Sequence, residues 1–233
     1  MIDLDFAFYS DVGGRENNED SYLAKQYPNG FLFLVADGLG GHGDGELASQ
    51  GAVAAIKESM AQTPDLVAAI EHANTVVLEK QAQSSSQMKT TIAAAFVTED
   101  TITIAHVGDS RVYAFDQTKI IHQTIDHSAS QLAVSVGEIT PKEIRHHEDR
   151  NILLRALGAN PTLKVEQFTL PTAECKALLF CSDGFWEYVL EEEMEQHLQT
   201  ATAADKWLYQ LRQLQLSRAP ERCDNNTAVA VIL

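Results

Sequence analysis

FLFLVADGLGGHGDGELASQ, residues 31–50, passes from a strongly apolar strand pattern into an acid, a glycine-rich turn and the start of a helical pattern. Read alone, it permits a nucleotide-binding loop, a metal site, or a tight turn that contains Asp37. What surrounds it is rich in strand-like runs: 4–10, 21–24, 91–97, 101–107, 111–116, 119–124, 163–170, 176–182 and 227–233, each apolar or β-branched and bounded by turn residues. Helical spacing appears at 45–61, where Leu47, Gly51, Val53, Ala54, Ile56 and Met60 can line one side, and at 64–83, with Pro64 placed to open the helix. Two further helices are expected in EEEMEQHLQT and ADKWLYQLRQLQL, the first with Glu191 to Glu193 in its opening turn. Runs of strands interrupted by paired helices, without strict βαβ alternation, favour an α+β sandwich. Residues 125–160 are polar and are expected to form short helices on an excursion between two portions of sheet.

The chain has 233 residues and 45% hydrophobic composition, enough for one large core, and no repeat or linker divides it; a single domain over 1–233 is expected. Acids crowd the first twenty residues, with no basic stretch leading into an apolar run, so a secretory leader is not expected and the cytoplasm is. Three cysteines without C-x-x-C spacing argue against disulfides and a thiolate zinc site. A net charge of -16 speaks against nucleic-acid binding, and no apolar stretch reaches membrane-spanning length.

The acids fall at strand ends. Asp37 follows FLFLVA, Asp183 follows ALLFCS, Asp109 lies between two strands in HVGDSR, Asp224 precedes the last strand, and Glu19 and Asp20 precede SYLA. Any one of the Asp-Gly or Asp-Asn pairs is an ordinary turn dipeptide. Their recurrence changes the balance, because like charges gathered along one sheet edge require a cation or shifted pKa values. All-oxygen donors select Mg²⁺ or Mn²⁺. Two such ions suit phosphoester hydrolysis by an activated water, and Arg15 is the candidate grip on phosphate. Competing designs fail on sequence: no Cys is followed six residues later by Arg, G-x-S-x-G and H-E-x-x-H are absent, and no Lys or Arg follows Gly38 before Gln50.

SDVGGRENNEDSY, LVADGLGGHGDGELAS, MKTTIAAAFV, AHVGDSRVYAF, IDHSAS, GEITPKE, RALG, LLFCSDGFWE and CDNNTAVAVIL, in this order, resemble the metal-dependent protein phosphatases, the type 2C serine/threonine family, in compact bacterial form. The resemblance implies a four-layer α-β-β-α sandwich with two central antiparallel sheets, a flap near 125–160, and two core ions with a possible third. By position, Asp37 would bridge the core ions, Gly38 would offer its carbonyl, and Asp183 and Asp224 would be direct ligands. Glu19 and Asp20 would act through metal-bound waters, Asp109 would hold a third ion with Asp183, and Arg15 would grip phosphate. The expected partners are phosphoserine and phosphothreonine proteins, including a serine/threonine kinase or its substrates, acted on by a monomer that binds neither nucleic acid nor membrane.

The chain departs from the family pattern in three places. Gly13-Gly14-Arg15 is one residue tighter than G-x-x-R, Lys89 stands where glycine is usual and is expected to remodel a turn, and Arg222-Cys223 replace a glycine-containing stretch. His42 is a candidate for proton transfer to the leaving alkoxide or for shaping its loop; His106, Met88 and Trp186 read as packing. A phosphoprotein-binding module without turnover and a phosphatase of small metabolites are the alternative functions.

Overall fold

The run at 31–36 contains no polar residue because neither face of its strand meets water. In the computed structural model, which describes residues 4–40 and 44–233, Leu32 through Ala36 are fully buried. Strands β1 (Asp5–Asp11), β2 (Asp20–Tyr27), β3 (Gly30–Leu39), β4 (Lys89–Thr90), β5 (Ile92–Val97), β6 (Thr101–Val107), β7 (Arg111–Phe115), β8 (Ile120–Gln123), β9 (Glu166–Pro171), β10 (Ala177–Cys181) and β11 (Asn226–Ile232) form two sheets. One is ordered β1-β11-β10-β7-β8 and the other β2-β3-β5-β6-β9, with β4 paired to the end of β3. The strand pairings are antiparallel.

Period-two alternation sorts these strands into layers. Phe33 and Val35 of β3, Ala93 and Ala95 of β5, Leu178 and Phe180 of β10, and Val229 and Val231 of β11 meet between the sheets. Their neighbours point outward: Leu32, Leu34 and Ala36 pack under α1 (Asp44–Gln62) and α2 (Leu66–Ser84). Tyr113, Phe115, Leu179 and Ala230 pack under α5 (Glu191–Thr200) and α6 (Ala204–Arg218), where Trp207 meets Phe115 edge-on at 5.2 Å. Three apolar seams between four layers make the expected α-β-β-α sandwich. Among the described residues no helix is long and apolar enough to cross a membrane.

Three local expectations are corrected. The buried face of α1 is Ala48, Ala52, Ala55, Ile56 and Met60, whereas Leu47 is about half exposed and Ala54 faces solvent. Small residues win the inner face because α1 lies against both α2 and the sheet. Pro64 does not open α2; Asp65 is the N-cap, its side chain accepting from the Ala68 N–H at 3.0 Å. Lys89 remodels no turn, because it pairs with Leu39 in extended conformation within β4.

Residues 125–160 cross from β8 in one sheet to β9 in the other. They carry α3 (Ala129–Ser135), N-capped by Ser128, and a 3₁₀ turn over Pro141–His146. Ser128 bridges to Leu153, and Leu157 to Thr90 beside β3.

Ala52 is fully buried where α1 packs on α2 and the sheet. Ala52→Leu is therefore expected to cost about 1–3 kcal/mol through overpacking, read as a lower urea midpoint with an unchanged m value.

Candidate metal centre

Strand register brings the first acids together. In the β2–β3 hairpin Asp20 lies opposite Asp37. Asp37 is fixed through its main chain: its N–H donates to Thr91 Oγ1 at 2.9 Å, and its carbonyl accepts from the Thr91 N–H at 2.8 Å and the Thr90 hydroxyl at 2.9 Å. The other sheet supplies Asp183, just after β10 at the start of the short α4 (Asp183–Trp186), and Asp224, just before β11. Asp109 sits in the tight β6–β7 turn. Arg15, Glu19, Asp37, Gly38, Asp109, Asp183 and Asp224 thereby line one cavity of ≈ 560 Å³. Asp20 stands behind this wall, 7% exposed, with its Oδ2 accepting from the Ser182 hydroxyl at 2.7 Å. His42 lies outside the described residues.

The tight Gly13-Gly14 loop carries Arg15 to the cavity. Gly13 adopts φ +60°, a conformation that favours glycine, and faces the Asp224 carbonyl with no room for a side chain. Gly14 N–H donates to the Cys223 carbonyl at 2.9 Å. Clamped on the segment that bears Asp224, just before β11, the loop places Arg15 Nη2 2.6 Å from Asp224 Oδ2. Arg15 remains 56% exposed, so this pair is worth only about 0–1 kcal/mol and yields readily to a stronger anion.

Sequence reasoning missed the residues that hold the acids in place. Asn225 Oδ1 accepts from the Glu19 N–H at 2.8 Å, while its Nδ2 donates to the carbonyls of Val12 at 2.8 Å and Asn17 at 2.9 Å. One amide thus joins the Arg15 loop, the Glu19 segment and the Asp224 loop. Ser182 and Asn225 appear in the sequence only as common polar residues beside acids, Thr91 as one remote from any acid, and their partners are distant along the chain.

The electrostatics call for a cation. Burial raises the Asp20 carboxyl to about 7 against the stabilising hydroxyls of Ser182 and Thr227. Burial and the nearby Asp126 charge raise Asp109 to about 7, although Arg111 opposes them. Desolvation, then neighbouring acids, raise Asp37 and Asp183 well above the carboxylate range. Asp20 Oδ1 and Asp183 Oδ1 are buried without a hydrogen-bond partner. Arg15 is the one cationic side chain in the cavity lining among the described residues. An all-oxygen donor set with excess negative charge and orphaned buried oxygens fits hard divalent ions.

A sequence profile of the family described as Protein phosphatase 2C matches residues 10–220. The serine/threonine phosphatase stp of Listeria monocytogenes is 33% identical over 199 residues, covering 80% of this chain and 79% of that protein. The crystal structure of the serine/threonine phosphatase Stp1 from Staphylococcus aureus superposes with a TM-score of 0.90 at 29% identity, over 100% of this chain and 96% of that one. The catalytic domain of the serine threonine protein phosphatase PstP, solved in complex with 2 manganese ions, gives a TM-score of 0.84 at 29% identity, over 98% of this chain and 97% of that one.

Raised carboxyl pKa values make the ion-free fold retain protons that the unfolded chain releases. Its stability should therefore fall as pH rises from about 4 to about 7, and stay low above that range. Chelated protein is expected to melt at a lower temperature at about pH 8 than at about pH 5, and Mn²⁺ is expected to raise the melting temperature more at the higher pH. Scanning calorimetry with and without chelator checks both; equal melting temperatures at the two pH values would contradict the electrostatic reading.

Proposed function

The chain belongs to the protein phosphatase 2C family, and from that premise we propose that it hydrolyses phosphoserine and phosphothreonine esters of phosphoproteins at the carboxylate cavity, as a single catalytic domain over 1–233. Two divalent ions, Mn²⁺ or Mg²⁺, are its cofactors. When bound, they lower the pKa of a water to make a nucleophile near neutral pH and offset charge on the phosphoryl oxygens.

The observation that carries the reading is the convergence of carboxylates from both sheets on a cavity whose lining includes one half-exposed guanidinium. Asp37, which feels the charges of Asp20, Asp183, Asp109 and Asp224, suits a bridging role, with Asp183 and Asp224 as direct ligands and the Gly38 carbonyl as a further donor in the same lining. Glu19 and Asp20 would act through waters on the ions, which fits the place of Asp20 behind the wall. Asp109 and Asp183 would hold a third ion. Arg15 orients the substrate by exchanging the Asp224 carboxylate for two non-bridging phosphate oxygens, a planar match that a lysine does not reproduce. His42 is retained as the candidate proton donor to the leaving serine or threonine alkoxide.

The physiological role that fits this chemistry is signalling in the cytoplasm by a monomer, on phosphoproteins that include a serine/threonine kinase or its substrates. The excess of acid over base in the chain is consistent with partners that are neither nucleic acid nor membrane.

Phosphate release from a phosphothreonine peptide with Mn²⁺, compared with the same reaction in chelator, tests the assignment. Asp37→Asn and Asp183→Asn are each expected to lower kcat/KM about 100-fold or more, and Arg15→Lys to raise KM with a smaller loss of kcat. Full Mn²⁺-dependent turnover in a folded Asp37→Asn protein would refute the proposal.

A further inference from the structure

IDHSAS holds a histidine that the reaction does not use. His127 sits at the root of the crossing segment, and with His106 and Glu166 it makes a cluster of metal-ligating groups within 4.8 Å of one another. The hydrogen bonds assign this cluster a different task. His127 Nδ1 accepts from the Gly108 N–H at 3.1 Å, so Nδ1 carries the lone pair and Nε2 carries the proton. That proton goes to Glu166 Oε2 at 2.6 Å. His106, stacked on His127 at 4.7 Å, also holds its proton on Nε2, donating to the Ile125 carbonyl at 2.9 Å. Both Nε2 atoms are therefore donors, and Arg155 Nη1 lies 3.0 Å from one of them. A cation there would meet protons and a guanidinium instead of lone pairs.

What His127 does hold is Gly108. Its backbone N–H donates to the Gly108 carbonyl at 2.9 Å while its ring accepts from the Gly108 N–H, so one residue takes both main-chain groups of the residue before Asp109. The position requires glycine, which leaves its backbone free unless held: its φ is +107°, and a Cβ there would lie 2.7 Å from the Thr91 side chain. On the far side, the Trp186 indole donates to the Asp109 carbonyl at 2.9 Å. The His127 carbonyl in turn accepts from the Leu154 N–H at 2.8 Å, on the returning limb of the crossing segment.

We propose that His127 is a positioning residue that sets the Gly108–Asp109 turn, and so the ion held by Asp109, through its unprotonated Nδ1, with Glu166 fixing the tautomer. This rests on the reading of Asp109 as an ion ligand.

Asparagine and glutamine separate the two ring nitrogens. In His127→Asn the Oδ1 stands where Nδ1 was and can accept from Gly108. In His127→Gln the amide reaches toward Glu166 and leaves the Gly108 N–H without an acceptor. Mn²⁺ calorimetry on the full chain without substrate is expected to show the weakest Mn²⁺ site about tenfold weaker in His127→Gln, with a much smaller change in His127→Asn. Peptide turnover should follow, with kcat of His127→Gln low at limiting Mn²⁺, restored at high Mn²⁺, and KM unchanged. Equal losses in both variants, or wild-type affinity in His127→Gln, overturn the inference. Asp109→Asn is the control: if it binds Mn²⁺ as the wild type does, the ligand reading of Asp109 fails, whereas its loss with an intact His127→Gln refutes the clamp alone. Should either His127 variant misfold, the imidazole ¹⁵N spectrum of the wild type decides. An unprotonated Nδ1 with a protonated Nε2, with and without Mn²⁺, supports the clamp, and the reverse tautomer overturns it.

Discussion

Mutual repulsion among Asp20, Asp37, Asp109, Asp183 and Asp224 is the constraint that the rest of the molecule answers. Left to themselves these carboxylates would separate or protonate; burial first and neighbouring acids second raise the proton affinities of Asp20, Asp37 and Asp183, and burial with the Asp126 charge raises that of Asp109. They stay together because each belongs to a segment fixed by a ladder or tight turn before any ion arrives. Such preorganisation is costly in the free protein, and the extensive apolar burial in the three seams offsets it.

The cavity also depends on how the sheets stack. Asp20 and Asp37 come from one sheet, Asp183 and Asp224 from the other, so neither sheet alone carries the site. Their relative placement is set by inner-face residues such as Phe33 and Phe180, whose rings lie 6.0 Å apart. Bonds that cross between the sheets then pin the ends: Ser182 reaches Asp20, and Asn225 reaches the Glu19 backbone. A change of packing deep between the sheets would thus alter the spacing of acids that it never touches.

Much of this was legible in the sequence. Acids at the ends of apolar runs mark the cavity because a strand carries its period to its last residue, so the position of Asp37 after FLFLVA is local information. The layer order was less accessible from periodicity, since a strand buried on both faces, such as β3, shows no polar alternation. On α1 the expected face was right at Ile56 and Met60 but wrong at Leu47 and Ala54, because a helix wedged between another helix and a sheet buries alanines to come close. The roles of Thr91, Asn225 and His127 were illegible for another reason. Each acts on main-chain groups of residues far away in sequence, and backbone donors and acceptors leave no trace in residue type.

That last pattern has a physical rationale at the proposed ion site. Thr91 holds Asp37 by its N–H and carbonyl, His127 holds Gly108 in the same way, and Trp186 takes the Asp109 carbonyl. None of these contacts occupies the Asp37 or Asp109 carboxylate. Support delivered to the main chain fixes where a ligand stands without competing for its oxygens, whereas a donor aimed at the carboxylate would have to be displaced by the ion. Asp224 is the instructive exception, since its Oδ2 is taken by Arg15. The pair is half exposed and weakly held, so releasing it costs little, and the release would free an oxygen for an ion and a guanidinium for phosphate together.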